Sequence, residues 1–228
     1  MLTVDGLEFA VRRSPRRTTI EITVDRGGEL RIAAPEHCPD EAIEAFVRAK
    51  AVWIHSKRIE KGQRLRPPPV KQFVTGEGFP YLGRSYRLLL VEDQDRPLKL
   101  EHGRFKLRRD RAAEGRAHLV RWYTDHARPW LRGRAARLAG RIGVAPVGVE
   151  VLDLGNRWGS CSPSGRLNFH WRTVLLPATI AEYVVAHEVV HLVEPHHGPA
   201  FWSRVERILP DWQRLKSWLA DRGPDVMF

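Results

Sequence analysis

At 228 residues and 43% hydrophobic composition, the chain is long enough to bury a core without covalent staples. Its two cysteines, Cys38 and Cys161, stand far apart, which argues against a disulfide scaffold and fits a reducing compartment. No apolar run approaches the roughly 18 residues of a membrane span and no basic-then-apolar leader opens the chain, so a cytoplasmic protein with no membrane partner is expected.

Residues 7 to 33 alternate as strands (LEFAVRR, TTIEITV, ELRIAA), with Arg26-Gly27-Gly28 as the last turn, and read as an antiparallel sheet. Pro39-Asp40-Glu41 then opens one amphipathic helix running to about Lys61, with Ile43, Phe46, Val47, Ala51 and Ile54 on one face. RLRPPPV ends it as a stiff connector. A second strand-rich stretch follows, GFPYLG, RSYRLLLVE and a hairpin turning at His102-Gly103. From about Ala112 a helical pattern continues to about Ile142, with Pro129 expected to kink or break it. VEVLDL, RWGSCS and RLNFHWR are short strands, the last two separated by a turn at Ser162-Pro163-Ser164-Gly165. No internal repeat is visible in the sequence. The expected fold is α+β. A β-rich lobe over residues 1 to 110 precedes a second lobe over 111 to 228, built of helix, small antiparallel sheet, a helix with the HExxH pattern of residues 187 to 191, and C-terminal helices, with a cleft expected between the two lobes.

Charge is unevenly spread around the net +11. Between Arg104 and Arg141 there are twelve Lys or Arg against three acids. Such a stripe can attract a nucleotide or the phosphates of a nucleic acid, and it can equally be the solvated face of a helix.

The chemistry concentrates in ATIAEYVVAHEVVHLV, residues 178 to 193, whose only charged residues are Glu182 and Glu188. His187 and His191, four apart, project from one helix face and can share one tetrahedral metal. Glu188 lies about 100° round the helix, placed for a metal-activated water rather than for the metal itself. Burying these three groups among valines carries a severe desolvation penalty unless a metal or hydrogen bonds compensate it. Glu194, His196, His197 and Glu206 are candidate third ligands, since Pro195 turns the chain back over the metal face. His197 has the offset of the HExxHxxGxxH pattern, but Glu194 replaces its turn glycine and the only late methionine is Met227, so the chain is not of that type. Glu194 suits a supporting role. Phe201, Trp202, Trp212 and Trp218 read as packing behind the site, Cys161 as a structural thiol, and Arg157 with Trp158 as an edge-strand packing pair whose alternative is substrate contact. Arg157, His196 and His170 are the candidates for stabilising an oxyanion.

The run HEVVHLVEPHHGPAFW, preceded by RWGSCSPSGRLNFHWRTVLLP and by the AVWIHSK and YLGRSYRL stretches in that order, resembles the YgjP-like branch of the SprT/WLM-type zinc metallopeptidases, which are compact gluzincin-like domains. The resemblance covers most of the chain. It implies zinc held by His187, His191 and His197, Glu188 as catalytic acid/base, a cleft bordered by the strand around Arg157 to Cys161, and a peptide or protein substrate. Two other readings keep the metal. A phosphoanhydride (nucleotide) hydrolase would use the basic 104–141 segment, although no Gly-rich phosphate loop is present. A nucleic-acid-associated module would hold zinc as a structural ion with four protein ligands.

Overall fold

The computed structural model describes residues 1–24, 29–64 and 70–226. The chain divides into two compact units, Met1–Pro67 and Pro68–Phe228, each with its own hydrophobic core. The expected turn at Arg26-Gly27-Gly28, most of the RLRPPPV connector and Met227 lie outside the described residues.

In the first unit, β1 (Leu2–Val4), β2 (Leu7–Ser14), β3 (Glu21–Val24) and β4 (Leu30–Pro35) form a sheet in the order β1-β2-β4-β3. The sheet is mixed rather than antiparallel, because β4 pairs parallel with β2 and antiparallel with β3. The reason lies in β4, where Leu30, Ile32 and Ala34 are all buried, so this strand takes an interior place. The single expected helix is two, α1 (Asp40–Ala49) and α2 (Ala51–Arg64), since Lys50 leaves helical geometry at φ −104°, ψ 9°. Ile43, Val47 and Ile54 pack against Phe9, Val24 and Ile32.

The second unit repeats that strand order. β5 (Gly78–Tyr81), β6 (Arg84–Val91), β7 (Leu98–Glu101) and β8 (Arg104–Arg108) follow β5-β6-β8-β7, again with the second and fourth strands parallel. Phe9 beside Leu30 in the first sheet corresponds to Leu88 beside Phe105 in the second, a repetition of topology that the residues themselves do not display. The hairpin at His102-Gly103 turns with positive φ at both residues, as expected of a two-residue loop. This sheet belongs with the helices that follow it and not with the N-terminal strands, so the boundary falls at residues 67/68 rather than near 110. The cause is packing: Phe105 stands edge-to-face on Trp122 and Tyr123 of the long helix α3 (Gly115–Arg141).

α3 runs unbroken through Pro129, which sits on the exposed side of the helix where the carbonyl it frees can meet water. Leu119, Tyr123, Ala127, Leu131, Ala135 and Leu138 fill its inner face. The arginines lie outward, and Arg128 and Arg137 are paired with Asp125 and Glu182. Beyond α3, β9 (Gly148–Leu152), β10 (Gly159–Cys161) and β11 (Arg166–His170) make a sheet in the order β10-β11-β9. It too is mixed, with β11 parallel to β9 and antiparallel to β10, which leaves β10 an edge strand. α4 (Ala178–Val190), α5 (Pro199–Ile208) and α6 (Trp212–Arg222) complete the unit. No helix among the described residues is long and apolar enough to cross a membrane.

Candidate metal centre and active site

The start of α4 is fixed by its neighbours. Pro177 precedes it in extended geometry, and its carbonyl accepts from the backbone N–H groups of Ile180 and Ala181. The tight turn Leu82-Gly83 docks there. Leu82 donates its N–H to the Val174 carbonyl, and a Cβ on Gly83 (φ +86°) would lie 3.2 Å from Pro177 Cα. Ile180, Ala181, Val184, Val185, Val189 and Val190 are all buried, so the helix is held by packing on every side despite its β-branched residues. Two histidines and one glutamate are carried into this apolar setting.

The helix ends at His191 and the chain turns through Pro195. Gly198 and Pro199 then start α5, with Pro199 in the first helical turn where its missing N–H has no consequence. This reversal brings His197 back over α4. Its Nε2 lies 2.9 Å from His187 Nε2 and 3.1 Å from His191 Nε2, and among the described residues these three form the group able to share a metal. His196, Glu194 and Glu206 are not in that group.

Three observations bear on what the cluster holds. His191 Nδ1 lies 3.0 Å from the Glu194 carbonyl, which accepts a hydrogen bond from Nδ1–H and turns Nε2 toward the cluster. His187 Nδ1 is buried without a hydrogen-bond partner, so the polar contacts of that ring run through Nε2. Burial, reinforced by the charges of His191, His197 and Lys216, drives the His187 pKa down to about 3, and His197 is lowered as well, chiefly by burial. One proton on His197 Nε2 can serve only one of its two neighbours. The remaining lone pairs face each other, and a cation resolves that conflict. A tetrahedral zinc with bonds of about 2.0–2.1 Å separates its ligand nitrogens by about 3.4 Å, close to the spacings present. The donor set therefore fits a divalent metal of imidazole preference.

Aromatic side chains hold the third imidazole. Trp202 Nε1 donates to the His197 carbonyl at 3.1 Å, and its ring stacks on His197 at 5.9 Å. Behind it Trp212 stacks at 4.3 Å, with the Lys216 ammonium 4.2 Å over the Trp202 ring. Phe201, fully buried, contacts all three histidines. Glu194 supports the site from two sides, since its carboxylate pairs with Arg204 at 3.0 Å while its carbonyl orients His191.

Glu188 is 7% exposed, and burial pushes its carboxyl up to about 7, with the positive charge of Arg157 pulling it partway back. It faces Gly159 on β10 across a gap that only glycine leaves. A Cβ there would come within 2.6 Å of Glu188 Cγ and 2.8 Å of Oε1.

The cleft in front, about 650 Å³, is lined by Arg157, Gly159 to Pro163, Gly165, His187, Glu188, His191 to Val193, Pro195 and His197. All of these lie in residues 157–197, so the cleft is not between lobes divided near residue 110. Arg157 lines it, whereas Trp158 packs in the core against Gly223. His170, considered above as an oxyanion partner, is instead buried beside β9, 3.1 Å from Asp153, and His196 is exposed outside the lining. Cys161 is a free thiol in the cleft wall, its pKa raised by burial and by Glu188. Sequence reading missed Gly159, Lys216 and the Trp202 hydrogen bond. The one legible trace was the HHGPAFW spacing, which puts an aromatic pair just past the third histidine.

A convergent imidazole set beside a buried carboxyl in an open cleft defines a metal-dependent hydrolase. The YgjP-like family, described as a metallopeptidase domain, matches residues 18–222, and the chain belongs to it. The structure of the metallopeptidase zymogen of Pyrococcus abyssi abylysin is similar over 43% of this chain and 96% of its own, at 21% identity and a TM-score of 0.36. No curated protein matches.

Two tests follow from this geometry. Gly159→Ala should destabilise the wild-type background by about 1–3 kcal/mol through overpacking, and far less in a Glu188→Ala background. Denaturant unfolding of the four proteins checks this, and an equal effect in both backgrounds would contradict the contact. The second concerns pH. A carboxyl with a raised folded pKa contributes stability at low pH that is lost as pH rises from about 4.5 through about 7. With metal chelated, Glu188→Gln should therefore gain stability over wild type across that window, as read by unfolding midpoints, and a pH-independent difference would refute it.

Proposed function

We propose that this metallopeptidase-domain protein is a zinc-dependent peptidase in which His187, His191 and His197 hold the metal and Glu188 moves the protons. The observation that carries the reading is the convergence of three imidazole nitrogens within hydrogen-bonding distance beside a buried carboxyl whose pKa lies near 7. When bound, zinc supplies Lewis acidity toward both water and the substrate carbonyl.

The chain's own groups do the rest. In its ionised form Glu188 accepts a proton from water as the water oxygen bonds to the carbonyl carbon, and it returns that proton to the amine nitrogen as the C–N bond breaks. A pKa near neutrality lets one carboxyl perform both transfers. Gly159 keeps Glu188 forward in the cleft.

β10 receives the peptide. Trp158 carbonyl accepts from His170 N–H and Ser162 N–H donates to Arg166 carbonyl, so by antiparallel alternation Gly159 and Cys161 turn their N–H and C=O groups to the free edge. An extended peptide completes those rungs by strand addition, next to Glu188. The basic face of α3 is not part of this cleft, and nothing in the site calls for a nucleotide or nucleic acid.

Purified protein should hold about one zinc, lost from His187→Ala, His191→Ala and His197→Ala and retained by His196→Ala. Glu188→Gln should keep its zinc while peptide hydrolysis falls by about two to four orders of magnitude. Elemental analysis and cleavage of a peptide library check both. Retained metal in the three histidine variants, or an active Glu188→Gln protein, would overturn the assignment.

A further inference from the structure

The cleft wall carries one cation whose charge is not otherwise engaged. Arg157 lies two residues ahead of β10, is exposed, and lines the cleft. Among the described residues its guanidinium has no hydrogen bond or ion pair, whereas Arg128, Arg137 and Arg204 each pair with a carboxylate. Glu188 is the only carboxylate in the lining, and it feels the Arg157 charge without forming an ion pair with it. The wall beside β10 is thus positive, next to one buried acid.

Strand geometry says which part of a substrate meets Arg157. An added strand pairs more favourably antiparallel than parallel, and so runs opposite to β10. Glu188 beside Gly159 marks the reacting bond. Going from Gly159 back to Arg157 then follows the peptide toward its C-terminus, over two residues or about 6.6 Å of extended chain.

Resting on the peptidase reading above, we infer that Arg157 is a specificity residue that selects peptides with an acidic residue in the first two positions after the cleaved bond. Lacking a structural carboxylate of its own, the guanidinium accepts one from the substrate. An oxyanion role would be different in kind, since it would act on the reacting carbonyl of every peptide alike.

The test uses the zinc-loaded full chain. Cleavage sites come first from an unbiased peptide library, followed by matched peptides differing only in Glu or Gln at those two positions. The expected kcat/KM ratio of the Glu peptide to its Gln twin is about fivefold, the worth of one exposed charge pair, carried mainly by KM and shrinking as salt rises. Arg157→Gln should bring the ratio toward one and Arg157→Glu should invert it. Fluorescence anisotropy of labelled twins on zinc-loaded Glu188→Gln protein should show the same preference in binding, without turnover. Equal rates for the twins with wild type, or one common factor of loss for both with Arg157→Glu, would overturn the inference while leaving the peptidase reading standing. Failure to cleave any peptide would take down both.

Discussion

The fold is organised around an unfavourable burial. α4 is surrounded by apolar side chains, yet it carries His187 and Glu188 inward, and both are shifted toward their neutral forms by loss of water. Neither shift is a defect for a hydrolase. A neutral imidazole is the form that binds a metal, and a carboxyl poised near 7 is the form that both takes and gives a proton at physiological pH. The same desolvation that opposes folding prepares the chemistry.

The rest of the unit makes that burial tolerable and directs it. Glu194 closes the helix, offering its carbonyl to His191 and its carboxylate to Arg204. The Trp202, Trp212 and Lys216 stack steadies His197, which comes from an exposed turn and would otherwise be the least constrained of the three. Opposite, β10 contributes two things at one position: a free backbone edge, and at Gly159 the lack of a side chain, which leaves room for the Glu188 carboxyl. The edge strand and the Glu188 carboxyl are therefore in contact, and in the proposed mechanism a substrate bound along the one is presented to the other.

Much of this was legible in the residues. The i, i+4 histidines and intervening glutamate, in a helix whose only other charged residue is Glu182, point to both the helix and its chemistry, and the proline after it turns the chain so that His197 returns. The strand segments were readable from their alternation. Strand order was not: β2 with β4, β6 with β8 and β9 with β11 pair in parallel, which depends on which apolar strand takes the interior place and leaves no local signature. The unit boundary was misread for a related reason, because the second sheet has the same character as the first and only the packing of Phe105 on Trp122 assigns it to α3. Lys216 and Gly159 were invisible as site residues, since each acts through a neighbour distant in sequence.

In the proposed site three imidazoles and no other protein group hold the metal. X-ray absorption on the zinc-loaded protein tests it most directly. The expected spectrum has three imidazole scatterers and one further light atom at about 2.0–2.1 Å, and no sulfur. A zinc–sulfur distance near 2.3 Å, which would bring Cys161 into the shell, or a fourth imidazole closing it, would contradict an open hydrolytic site.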